Sequence, residues 1–476
     1  MVEPVVRHAS LERVLTVAVV IACFVLYVSW AWVIPFDAAP DESMRYTLVR
    51  YISDHHSIPA GTDPAIRDPI WGTSYAFEPI LAPLVAALLR SAAGLFTTDL
   101  RTLLLASRLA SVIFGAGTVA MCVLISRRVF VGAWRWFFVV FIALLPQFAF
   151  LSCYLNSDSL ALFATSLIIY AWLRGLRDGW GTANALLLGV GVSVCLLSYF
   201  TAYGFVLLSL VVYFADRIHG WRRTPVDERR THRRQTLLQV ASIATVVLVL
   251  AGWWFVRNAY LYDGDFLGLS TSAQQGTLYA HEFAKPGASS AVGRGWSLWH
   301  MLIKGWVLAS GISAVGVFGY MKLQMPAPIY AIYATIAVAG MLSALVPAIT
   351  GRVARRRVSA GLSTVPDHVN APLTLTGVTP WRRRLFEVVL LLAIPIPTAL
   401  SMYHSYTQDY QPQGRYILPM LLPVVYFITK GFQRFLARHI RSPKIRTAIL
   451  IVFFAWNLCV TWLALVGVII PHYAPH

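Results

Sequence analysis

Long apolar stretches, broken by short polar segments whose charge alternates along the chain, set the pattern of this sequence. A hydrocarbon core of about 30 Å takes roughly 20 apolar residues per helical crossing. Apolar windows near that length, with at most one charged residue each, fall at 14–34, 104–126, 136–153, 159–173, 184–199, 201–215, 236–256, 325–350, 385–402, 416–433 and 447–470. They predict an all-α polytopic membrane protein of about 11 transmembrane helices. Two further apolar stretches, 79–97 and 305–321, read as helices that lie in the outer interface or re-enter from it, because counting them as spans would break the charge alternation. With the N-terminus in the cytoplasm, the inner segments and the span margins beside them hold 27 Lys+Arg against 8 Asp+Glu, and the outer ones 12 against 13. Excess Lys and Arg marks the inner side because those residues resist translocation. Eleven spans then place His476 outside.

Composition agrees: 58% of the 476 residues are hydrophobic and 13% charged, with a mean hydropathy of +0.64. The net charge of +18 is an orientation signal and an attraction to anionic lipid heads, with no nucleic-acid partner implied. The five cysteines stand singly in or beside apolar spans and show no metal-ligand spacing. The whole of 1–476 reads as one transmembrane domain. It includes a first outer loop at 35–103, an outer segment at 258–324 and a basic cytoplasmic loop at 351–384.

Carboxylates are nearly absent from the spans and gather on the outer side: Asp37, Asp41, Glu42 and Glu78 in the first loop, Asp158 in the second, Asp409 in the last. A buried carboxylate inside a span normally marks an ion pathway, so this distribution favours an outward-opening pocket over a proton-coupled transporter. Pro40-Asp41-Glu42 precedes residues at helical spacing, Met44 to Ile52, and predicts an amphipathic helix. Adjacent acids at its start serve equally as helix caps. Trp71, Tyr75, Phe77 and Pro79 follow, an aromatic surface suited to sugar rings or an isoprenoid tail. The Ser-, Gly- and Gln-rich stretch 263–293 reads as a loop able to close over a substrate.

In order along the chain, five tracts resemble the polytopic glycosyltransferases of the GT-C fold that use a polyprenyl-phosphate sugar, in particular their bacterial protein-mannosyltransferase-like and aminoarabinose-transferase-like members. They are Pro40-Asp41-Glu42 with Arg45-Tyr46 and Ser57-Ile58-Pro59; Glu78-Pro79, where the family often has Pro-Pro-Leu; Asn156-Ser157-Asp158; Trp253-Trp254 with Arg257-Asn258 and Tyr262 to Asp265; and Gln411 to Tyr416. The resemblance implies transfer of a sugar to a glycan, lipid or protein acceptor on the outer face of a plasma membrane, with inversion. It implies catalytic acids at Asp41 and Glu42, the first as general base, its pKa expected to rise near the dry membrane surface. Arg415, then Arg257, are the candidates for the donor phosphate, since a guanidinium presents a planar fork to two oxygens. Asp37, Glu78, Asp158, Asp409, Tyr416 and Trp71 are candidates for substrate contact. No ligand spacing indicates a metal, which leaves a divalent cation open. Two alternatives carry the same topology: a polymerase or ligase of lipid-linked glycans, and a lipid-linked oligosaccharide flippase, which would want charges along its spans.

Overall fold

The computed structural model describes residues 3–358 and 378–473, and side chains within 12–345 and 378–473. Most of the basic loop at 351–384, and His476, lie outside the described residues. In chain order the helices are α1 (Glu3–Val33), α2 (Glu42–His55), α3 (Leu81–Gly94), α4 (Leu100–Val129), α5 (Trp134–Ala143), α6 (Pro146–Leu151), α7 (Asp158–Asp178), α8 (Thr182–Leu196), α9 (Gly204–Arg223) and α10 (Arg229–Val247). They continue as α11 (Trp253–Leu261), α12 (Leu269–Tyr279), α13 (Leu298–Met301), α14 (Val307–Gly316), α15 (Ala327–Val358), α16 (Pro380–Leu392), α17 (Pro395–Thr407), α18 (Leu421–His439), α19 (Pro443–Trp462) and α20 (Ile470–Tyr473). Two short antiparallel strands, β1 (Val317–Phe318) and β2 (Leu323–Gln324), pair Val317 with Gln324.

Each of the eleven apolar windows falls on a helix or a helix pair, but nine helices among the described residues are long and apolar enough to cross a membrane. The difference from eleven has physical causes. The window 136–153 is split into α5 and α6, where Leu144-Leu145 leaves the helical path before Pro146. Window 184–199 yields only the 15 residues of α8, and α18 carries Lys430, Arg434 and Arg438 in its second half. Conversely, Leu298–Gly316, which the charge pattern places in the interface, is among the nine. That length runs through Gly305, whose φ of 122° breaks the helix, so the regular part is the ten residues of α14. The stretch at 79–97 forms α3, too short to cross, and its Arg90 binds Ser53 and Asp54 of α2 at 2.8 and 2.5 Å.

In lipid no hydrophobic force draws helices together, so small residues and buried hydrogen bonds do the joining. Helices α15 and α18 meet so closely that a Cβ on Gly431 would lie 1.9 Å from the Gly340 carbonyl oxygen. Tyr27 of α1 donates to the Ala143 carbonyl at 2.8 Å, locking α1 to α5. Together α1, α4, α5, α6 and α7 enclose a core of aromatic and small side chains.

Candidate functional site

The turn between α1 and α2 takes its shape from two aspartates in left-handed conformation, Asp37 (φ 57°) and Asp41 (φ 64°). This turn separates the paired acids. Glu42 is fully buried and receives four donors: Arg108 Nε and Nη2 at 2.7 and 2.6 Å, and the backbone N–H groups of Leu155 and Asp37, each at 3.1 Å. Arg108 in turn donates to the carbonyls of Ala31, Ile34 and Pro35 at 2.6–2.9 Å. The pair ties α1, α4 and the end of α6 together. Asp37 accepts from the Ser43 N–H and the Tyr320 hydroxyl, at 3.2 and 2.7 Å.

Asp41 occupies the N-cap position of α2, yet its side chain makes no capping bond. It accepts instead from Arg415 Nη2 at 2.6 Å, a residue 374 positions later. The same Nη2 donates to the Tyr416 hydroxyl at 2.7 Å; Tyr416 donates to Gln411, and the Gln411 amide to Asp409. Asp409 also receives the Ser289 hydroxyl at 2.5 Å. This chain of contacts requires the 411–416 tract to lie flat on α14. Gly414 allows it, since a Cβ there would sit 2.0 Å from the Ala314 nitrogen, and its N–H reaches Ser313 Oγ at 2.6 Å.

Around Asp41 and Arg415 several buried polar atoms have no partner: Nε and Nη1 of Arg415, Nε and Nη2 of Arg45, the Tyr154 hydroxyl, one oxygen of Asp158 and one of Glu78. Buried polar groups are normally satisfied within the protein, so this concentration of unmet donors and acceptors distinguishes the corner. Electrostatics divides its carboxyls. Burial pushes the Asp41 pKa up, but the charges of Arg415 and then Arg45 more than offset it and hold the group below its ordinary value. The expected rise for Asp41 is therefore reversed. Glu78 shifts the other way: burial lifts it to about 7 against the counter-pull of Arg45.

Arg257, proposed from sequence for the phosphate, is occupied elsewhere. Its Nη2 donates to the carbonyls of Ile58 and Pro59 at 3.2 and 2.8 Å, and its Nη1 to Asn258 at 3.3 Å, so it props the first outer loop. Trp71 is 37% exposed on a turn wound about Asp68. The segment read as a mobile cover is docked on the first loop: Arg67 binds Gln275 and stacks on Tyr279, and the Gly61 N–H reaches the Tyr262 hydroxyl at 2.8 Å. Among the described residues no three His, Cys, Asp or Glu side chains gather as metal ligands. Sequence reasoning gave no individual role to Arg45, Tyr154 or Tyr199, and took Tyr75 only as part of an aromatic surface. For Arg45 a signal existed, since four residues after Asp41 puts it on the same helix face.

No protein-family model and no curated protein matches the chain. Among solved structures it is similar to the archaeal oligosaccharyltransferase AglB from Archaeoglobus fulgidus in complex with an inhibitory peptide and a dolichol-phosphate. The TM-score is 0.52 at 13% identity, over 95% of this chain and 55% of that one. The apo oligosaccharyltransferase of the same organism follows (TM-score 0.46, 16% identity, 96% and 55% covered), with apo ArnT from Cupriavidus metallidurans (0.37, 15%, 90% and 78%). The chain spans about half the length of the oligosaccharyltransferases it matches. The first likeness, covering nearly the whole of this chain, shows its fold: a polytopic helical membrane protein of GT-C architecture, as expected from the apolar windows together with the family resemblance.

Proposed function

We propose that this chain is a membrane glycosyltransferase that moves a sugar from a polyprenyl-phosphate donor to a hydroxyl acceptor on the outer face of a plasma membrane. The observation that carries the reading is the Asp41–Arg415 pair, set among buried donors with no partner of their own. The Glu42–Arg108 pair finds acceptors for every N–H of its arginine; a pair ringed by several unmet donors is suited to an anion from outside. The dolichol-phosphate held by the similar oligosaccharyltransferase is an anion of that class.

In this reading the acceptor hydroxyl gives its proton to Asp41 as its oxygen bonds to the anomeric carbon. The bond from that carbon to the phosphate oxygen breaks, its electron pair stays on the phosphate, and the configuration inverts. Arg415 supplies positive charge to the departing phosphate through Nε and Nη1 while Nη2 holds Asp41. A carboxylate depressed by an arginine is a weak base in the empty site. An anion arriving on Arg415 offsets the charge that depresses it, so donor binding itself raises the affinity of Asp41 for a proton. Glu42 is assigned to support of the turn, and Asp158 and Glu78 to substrate hydroxyls through their free oxygens.

The test is Asp41→Asn in purified protein supplied with a polyprenyl-phosphate sugar. Transfer should fall by about 10² to 10⁴-fold, the usual contribution of a general base. Thermal stability should fall less than on loss of Glu42, because the Asp41 side chain is 27% exposed and caps nothing. Transfer within a few-fold of wild type, with Asp37→Asn inactive instead, would move the base to the neighbouring acid.

A further inference from the structure

A guanidinium has two edges that offer paired parallel N–H donors: a side edge of Nε with Nη2, and an end edge of Nη1 with Nη2. This protein uses the side edge for carboxylates twice. Arg108 grips Glu42 with Nε and Nη2 at 2.7 and 2.6 Å, and Arg382 grips Asp216 with the same atoms at 2.7 and 3.0 Å. Arg415 has no whole edge to offer, because Nη2 belongs to both edges and already serves Asp41 and Tyr416.

Arg45 differs. Its side chain is buried (2% exposed), yet Nε and Nη2 both lack partners, so the complete side edge is open. Nor is the group loose. Nη1 donates to Ser157 Oγ at 2.7 Å, and the Tyr75 ring lies 3.9 Å beneath the guanidinium carbon, which fixes both the plane and its rotation. Its backbone N–H bonds to the Asp41 carbonyl at 3.1 Å, so the two residues share the first turn of α2.

We propose that Arg45 is the donor-phosphate clamp: its free side edge takes two phosphate oxygens of the polyprenyl-phosphate donor, and Arg415 adds single contacts while it tethers Asp41. The inference rests on the glycosyltransferase reading and assigns the bidentate contact, expected of Arg415 from sequence, to a residue given no role there. It has a geometric consequence. Proton acceptor and leaving-group clamp ride on one helical turn, so the spacing between the two is fixed by α2 and does not depend on how the bundle flexes.

Binding of a sugar-free polyprenyl monophosphate, with the uncharged polyprenol as reference, tests this on the full chain in nanodiscs. Wild type should prefer the phosphate. Arg45→Lys keeps the charge and loses the edge, and should lower that preference by at least about tenfold, the loss of one charge-assisted hydrogen bond, with polyprenol binding unchanged. Ser157→Ala, which frees Nη1, should lower it by a smaller factor. If wild type shows no preference for phosphate over polyprenol, the glycosyltransferase reading fails and takes the clamp with it. If wild type prefers phosphate, Arg45→Lys retains the preference and Arg415→Lys loses it, the clamp assignment alone is wrong and Arg45 is an internal strut. Equal loss of phosphate and polyprenol binding in Arg45→Lys would also overturn it, as damage to the tail site.

Discussion

Asp41 and Glu42 are adjacent in sequence, are both acidic and each meets an arginine, yet they belong to different kinds of site. Around Glu42 every donor and acceptor is matched: four donors on the carboxylate, three carbonyls on Arg108. Around Asp41 one short bond to Arg415 stands among unmatched atoms. The contrast separates a charge pair that holds a fold together from one prepared for a guest. Satisfaction of hydrogen bonds distinguishes them where burial and charge do not, because both arginines are buried and both carboxylates are ionic partners.

The widest gap between the two corners should appear in stability. Glu42→Gln removes one charge of a fully buried pair and should destabilise the protein by about 3–5 kcal/mol; Asp41→Asn also unpairs a buried arginine, but its carboxyl is 27% exposed and the loss should be about 1–2 kcal/mol. Thermal unfolding in one detergent checks both, and similar losses would erase the distinction. Next comes Arg415→Lys. An ammonium keeps the attraction to Asp41 but loses the planar array, so transfer should fall about 10²-fold with the melting temperature nearly unchanged. A near-wild-type rate in this variant would return Arg415 to the structural class.

The smallest effect concerns pH, and it should be confined to the unmatched corner. Glu78 has a folded pKa of about 7 against an ordinary 4.5, so the folded state binds more protons than the unfolded one between those values. Its contribution is therefore present below about 4.5, declines as pH rises to about 7 and is flat above. Glu78→Gln should flatten that part of the melting-temperature profile. An identical slope in the variant would assign the dependence to another group.

Much of this was legible beforehand, and the failures have a common origin. The helix after Asp41 and the helices that fill the apolar windows follow from residue type and spacing, which are local properties. Whether a given arginine has donors to spare is not local. Arg257 reads as a phosphate ligand until the carbonyls of Ile58 and Pro59 fold onto it. Arg45 reads as one more basic residue until Tyr75 and Ser157 arrive from other segments to hold its plane. The direction of the Asp41 shift reverses for the same reason, since Arg415 is remote in sequence. The apolar windows and the long helices differ in number because an apolar run does not reveal a break such as the one before Pro146.

The separation of 374 positions between Asp41 and Arg415 also sets a timetable for biosynthesis. At a synthesis rate of about 5–20 residues per second, the partner of Asp41 leaves the ribosome roughly 20–75 s after it. Throughout that interval the nascent chain carries the turn between α1 and α2 without the cation that completes it. On the proposed function, a product truncated before residue 415 should be inert, and activity should be acquired late in assembly, after most of the helices have been made.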